Sequence, residues 1–174
     1  MLPGNERVDE IRDALRNNST ESLARRRKMG LLSAIGLIDF AVISLYQMGV
    51  IRHLPDFPAK VFDSDSVNAS RKAYAMGLPD GTTGAIMYSV NLALLSAGGT
   101  RETGRPKWLS YIIGGSVIAG AVGALDYLYD MTFKQKKICP YCVTGALVNL
   151  SLVPLAIKEI MQDFANKSNR EVQA

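Results

Sequence analysis

The residues best suited to chemistry are Cys139-Pro140-Tyr141-Cys142, which contain both cysteines of the chain. In Cys-x-x-Cys at a helix start, the helix N-terminus stabilises a thiolate and lowers the thiol pKa. The spacing lets the pair close into a small disulfide ring and reopen. Pro140 suits the first turn, where its missing N–H costs nothing. Lys136 and Lys137 place positive charge beside the pair. The plainer alternative is two unreactive thiols or a structural staple. A staple closing so short a loop constrains the unfolded chain little, which weakens that alternative. Two cysteines and one histidine cannot complete a four-ligand zinc site from Cys and His alone, so no metal is expected.

The elements that position this motif follow from where the charges are missing. Across 174 residues the chain is 48% hydrophobic and 21% charged, with mean hydropathy +0.07. Those averages resemble a soluble protein, but four stretches carry almost no charge: 29–51, 81–98, 108–125 and 138–157. Each is near the ~20 residues needed to cross a bilayer core. The expected fold is an all-α integral membrane protein, a four-transmembrane-helix bundle. No βαβ pattern accompanies the motif, so a thioredoxin domain is excluded. Residues 1–28 read as a cytoplasmic amphipathic segment, with Val8, Ile11 and Leu15 at helical spacing. The membrane domain runs over 29–161, with an outer loop at 52–80, and residues 162–174 form a cytoplasmic tail. Within the outer loop, Val67, Ala69, Ala73 and Met76 permit a short helix that caps the bundle.

Net charge +4 suggests nucleic acid at first sight. The basic residues flank the apolar spans, however, which points to membrane lipid and topology and excludes a nucleic-acid partner. Thirteen of the twenty Lys and Arg residues, with Arg25-Arg26-Arg27-Lys28 chief among them, fall on one side. That side is expected to be cytoplasmic and to hold both termini, in a cell inner membrane. The Cys-x-x-Cys motif then lies at the outer face, where disulfide chemistry is permitted.

Other polar residues read mainly as structural. Asp39 sits mid-span without a partner on its own helix, which makes it a functional candidate by default. His53 reads as interfacial, Asp126 and Asp130 as the solvated end of the third span, and Asn91 and Asn149 as interhelical hydrogen-bond partners. Asn68-Ala69-Ser70 is a formal glycosylation sequon that reads as chance.

Cys-Pro-Tyr-Cys at the outer start of a fourth span, together with the segment FDSDSVNASRKAYAMGLPDGTTGAIMYSV, resembles the vitamin K epoxide reductase family in its bacterial form. The resemblance covers about residues 30–160. It implies a four-helix bundle around a membrane quinone, ubiquinone or menaquinone. Electrons from a thioredoxin-like or other periplasmic thiol protein would pass through the Cys pair to it. The polar group that the family directs at the quinone falls near Asp80. The tyrosine that follows the cysteines by one turn in some members is Ala146 here. The family's second cysteine pair, on the first outer loop, is absent. Aligning VNAS on the family pattern puts Ala69 at its second position, with the first near Val61–Phe62.

On the second span Asp80, Thr83, Gly84 and Met87 share a helix face, and on the fourth Cys142 and Ala146 share another. These faces are expected to meet around a flat apolar ligand, with Gly84 and Ala146 leaving room for its ring. Two functions are consistent with these residues. The first is a quinone-linked membrane thiol–disulfide oxidoreductase with Cys139 and Cys142 as catalytic residues. The second is a non-catalytic quinone- or partner-binding membrane subunit that retains the fold.

Overall fold

The computed structural model describes residues 4–18, 20–74, 77–100 and 105–172, with side chains over 6–18, 20–74, 77–100 and 105–164. Met76 of the expected loop helix, and Arg101 and the side chains of Lys167 and Arg170 among the thirteen basic residues, lie outside the described residues. The elements are α1 (Gly4–Asn17), α2 (Glu21–Gln47), α3 (Ser64–Asn68), a 3₁₀ turn (Arg71–Tyr74), α4 (Asp80–Ser96), α5 (Trp108–Tyr129), a π-helical turn (Asp130–Gln135) and α6 (Pro140–Val172). The described residues contain no strand; a single parallel bridge joins Phe62 to Ile138.

Among the described residues, three helices are long and apolar enough to cross a membrane: Glu21–Gln47, Trp108–Gln135 and Pro140–Phe164. Their outward side chains include Leu31, Ile38, Val122, Leu125 and Leu147, all exposed. An all-helical bundle that presents such side chains around its girth is built to face lipid, because in hydrocarbon each helix satisfies its own backbone hydrogen bonds. α4, with 17 residues, is shorter. It packs along α2 and also touches α5. The core between the helices gathers Met29, Tyr88, Ile113, Val117, Val148 and Leu152.

The end of α4 shows how its shortness is accommodated. Its last carbonyls have no helical partner. Arg26 donates through Nη1 to the Gly99 carbonyl at 2.6 Å and through Nη2 to that of Leu95. Arg105 donates to the carbonyls of Ala97 at 2.7 Å and Leu94 at 3.2 Å. One residue earlier on α2, Arg25 donates through Nε to Glu159 of α6 at 3.1 Å, with both side chains buried. Two residues of the basic run that the sequence marks as a topology signal are therefore also buried cross-links between helices.

Small residues set how closely α2 and α4 approach, as expected where packing rather than hydrophobicity holds helices together. A Cβ built on Gly36 would stand 2.4 Å from Tyr88 Cζ. The Tyr88 ring is fully buried and lies 5.6 Å from the Phe40 ring, centroid to centroid. By contrast, a Cβ on Gly30, a little under two turns earlier on α2, meets nothing within 4 Å. Gly36→Ala should therefore lower stability by about 1–3 kcal/mol, the usual cost of overpacking. Gly30→Ala should be neutral or slightly stabilising, since alanine favours helix. Thermal unfolding of the two variants in detergent measures this, and equal midpoints would contradict the packing described.

Candidate thiol and cavity site

Chain geometry alone brings the outer loop to the cysteines. Ile138 N–H donates to the Val61 carbonyl at 2.8 Å, and Asp63 N–H donates to the Ile138 carbonyl at 3.1 Å. This short ladder lays the loop beside the residue before Cys139, and α3 follows at once. Asp63 caps α3 by accepting from Ser66 N–H at 3.0 Å, and it pairs with Lys137 at 3.1 Å. Asp56 accepts from both the backbone and the hydroxyl of Ser64 at 2.6 Å. Asp65 accepts from Leu54 N–H at 2.9 Å and meets His53 at 2.8 Å. His53, read as interfacial, thus belongs to the cap. From below, Tyr46 donates to the Asp65 carbonyl, Gln47 to that of Asn68 and Tyr127 to that of Val67. A helix of five residues cannot hold itself together; these side chains hold it.

The cap covers the thiols. Cys139 is 0% exposed and clusters with Val67 and Met131. It lies in the loop just before α6, with its N–H directed at the Met131 sulfur at 3.2 Å. Two donors converge on its Sγ: the backbone N–H of Cys142 and the side-chain amide of Asn68, each at 3.2 Å. Hydrogen bonding from the Cys142 side chain pulls the Cys139 thiol down to about 7. Burial opposes this, while Ser64, the Cys142 backbone and Asn68 add to it. Both cysteines are free, and Cys142, in the first turn of α6, is less buried than Cys139.

Below Cys142 lies a cavity of about 290 Å³. Asp80, Thr83, Gly84 and Met87 of α4 line it together with Cys142 and Ala146 of α6, so the two faces marked in the sequence border one space. Its walls are mostly apolar and its polar groups few, the usual character of a small-molecule pocket. Gly84 does not leave room for a ligand ring. A Cβ there would stand 2.1 Å from Phe40 Cδ1, so this chain's own Phe40 occupies that room. Phe40 also reaches Gly145 and becomes one wall of the cavity. On the opposite side Gly123 of α5 faces open space, while Gly120 is packed against Asn149 and Met87.

Three residues of the site, Gln47, Lys72 and Asn68, carry no functional signal in the sequence. Gln47 Nε2 donates to Asp80 Oδ1 at 2.6 Å, and its Oε1 accepts from Gly81 N–H at 3.1 Å, so α2 orients the start of α4. Lys72 pairs with Asp126, and both border the cavity. Asn68 is fully buried against the thiols; its only sequence signal was a sequon. Asn149 lines the cavity with Nδ2 held by the Gly145 carbonyl at 3.0 Å, while its buried Oδ1 has no hydrogen-bond partner within the protein. Asp39 Oδ2, facing Gly145, is likewise buried without one.

The family model described as Vitamin K epoxide reductase family matches residues 28–157. No curated protein matches the chain.

The cap has a pH signature. The Asp63 carboxyl is held below its usual range by the Ser66 backbone and side chain, and then by Lys137. A depressed carboxyl contributes stability above its unfolded pKa and loses it as pH falls through the lowered value. The cap should therefore stay closed from neutral pH to about pH 4 and loosen below that. Asp63→Ala, which removes an N-cap worth about 1 kcal/mol, should raise the alkylation rate of Cys139 roughly fivefold at neutral pH. An unchanged rate would mean that α3 is not what shields the thiol.

Proposed function

The chain belongs to the vitamin K epoxide reductase family, and on that premise we propose that it passes electrons from a partner's thiols through Cys139 and Cys142 to a membrane quinone. The observation that carries this reading is the position of Cys142. It lines the apolar cavity on one side and touches the Cys139 pocket on the other.

The cavity suits a quinone ring. Ile43, Leu78, Met87 and Phe40 offer apolar contact, and the small residues of α5 and α6 leave a slot. Asp80 and Cys142 stand as polar groups on its border. The orphaned Asn149 Oδ1 is an acceptor awaiting a donor, such as a hydroxyl of the reduced ring. A bound quinone would supply the acceptor for two electrons and two protons. Asp80, Thr83, Met87 and Ala146 would hold it, with Gly84 contributing through the Phe40 wall seated on it.

The steps on this chain balance as thiol–disulfide exchange. A partner thiolate attacks Cys139 of the Cys139–Cys142 disulfide, and Cys142 leaves as thiolate and takes up a proton. The partner's second thiol attacks the mixed disulfide and releases Cys139. The partner's two thiols have then become a disulfide; the Cys pair holds the two electrons and one proton, on Cys142, and the other proton has gone to water. Because Cys139 is covered, the first attack requires α3 to lift. The favoured setting is an inner membrane with both termini cytoplasmic and a thioredoxin-like or other periplasmic thiol protein as partner. Thirteen basic residues on one side support that orientation.

A second reading is a non-catalytic quinone- or partner-binding subunit. The full burial of Cys139 and the lack of any further cysteine on the outer loop favour it. The two readings separate by mutation. Cys142→Ser should leave Cys139 unable to resolve and trap a mixed disulfide with the partner, visible on non-reducing gels. Cys139→Ser should trap none. If both single variants and the double variant sustain quinone-dependent thiol oxidation at the wild-type rate, the subunit reading stands and the oxidoreductase reading fails.

A further inference from the structure

Among the described residues, Asn68 is the one side chain outside the Cys-x-x-Cys motif that hydrogen-bonds both cysteines, and it treats them differently. Its Nδ2 donates to the Ser64 carbonyl at 2.8 Å and to Cys139 Sγ at 3.2 Å. These two bonds use both of the hydrogens an amide nitrogen carries. Its Oδ1 accepts from Cys142 Sγ at 3.8 Å. The amide cannot turn over, because the flipped form would set Oδ1 against the Ser64 carbonyl oxygen, acceptor against acceptor. Ser64 in the first turn of α3 thereby decides which cysteine receives the donor.

We infer that Asn68 is a positioning residue that holds Cys139 as thiolate and Cys142 as thiol. Two donors, from Asn68 and from the Cys142 backbone, point at Cys139 Sγ. Cys142 Sγ instead faces an acceptor, which only a protonated thiol satisfies. A hydrogen bond to a charged group is stronger than one to a neutral group, so the donors favour the Cys139 anion. The asymmetry makes Cys139 the better leaving group when the partner's second thiol resolves the mixed disulfide, and it keeps Cys142 protonated beside the cavity. It also gives the outer loop, which has no cysteine in this chain, a non-covalent hold on the redox pair. This inference rests on the oxidoreductase reading for its purpose, but not for its test.

The chain's two cysteines are its only sources of thiolate absorbance, and its tyrosines ordinarily ionise near pH 10. Ultraviolet titration of the reduced, detergent-purified full chain therefore reads the pair directly. The wild type should show one thiolate forming below the ordinary cysteine value of about 8.5. Asn68→Ala should raise that midpoint by about one pH unit, a tenfold change in proton affinity. Asn68→Asp keeps the shape of the cap but replaces the donor with an acceptor, and should raise it further. Cys139→Ala should abolish the low transition, whereas Cys142→Ala should keep one thiolate transition, moved upward because the Cys142 side-chain donor is lost. Equal midpoints in the wild type and Asn68→Asp, or a low transition that survives Cys139→Ala, would overturn the assignment. Loss of quinone-dependent thiol oxidation in the wild type with this titration intact would defeat the oxidoreductase reading alone.

Discussion

The backbone N–H of Cys142 donates to Cys139 Sγ across the first turn of α6, and the rest of the site is arranged around that contact. A helix N-terminus leaves N–H groups unpaired and carries partial positive charge. Placing a sulfur there satisfies a donor and favours a thiolate with one interaction. Pro140 starts the turn without needing a hydrogen bond of its own. The contact demands that Cys139 sit at the outer edge of the bundle, where water would compete for it. The α3 cap excludes that water, and the acidic residues Asp56, Asp63 and Asp65 secure the cap from the loop side. On the other side, Cys142 faces a space that only small residues on α5 and α6 leave open.

The opposite end of the bundle meets a different constraint. In hydrocarbon an unpaired carbonyl costs several kcal/mol. α4 ends early, so its carbonyls need donors from elsewhere. Arg26 and Arg105 supply them, and Arg25 joins α2 to α6 through Glu159. The same run of basic residues that biases topology therefore also closes the helix ends. The close approach of α2 to α4, set by Gly36, Gly81 and Gly84, then carries this order up to the cavity, where Phe40 and Gln47 of α2 reach the face of α4.

Much of this could be read from local sequence. Cys-Pro-Tyr-Cys at the start of an apolar run announces a helix start with two sulfurs beside it, and both are found there. The four charge-poor stretches announce helices, and the periodicity of 80, 83, 84 and 87 marks the face that lines the cavity. What local sequence conceals is contact between elements. Asn68 is marked in the sequence only by a formal sequon that reads as chance, because nothing near it in the chain reveals that Cys139 is its neighbour. Gly84 looks like room for a ligand until the Phe40 ring is seen resting on it. Arg25 and Arg26 look like surface charges because their acceptors belong to α4, α6 and the turn after α4. Asp39 is conspicuous in either view; the structure adds that its buried oxygen finds no hydrogen-bond partner within the protein.

The central claim is that the buried pair and the cavity form one electron path. The most direct measurement mixes the fully reduced protein with a short-chain quinone in the absence of oxygen and counts thiols and quinol together. The account predicts that two thiols disappear for each quinol formed, and that Cys139 and Cys142 are found joined by a disulfide. Free thiols that persist beside oxidised quinone would contradict it.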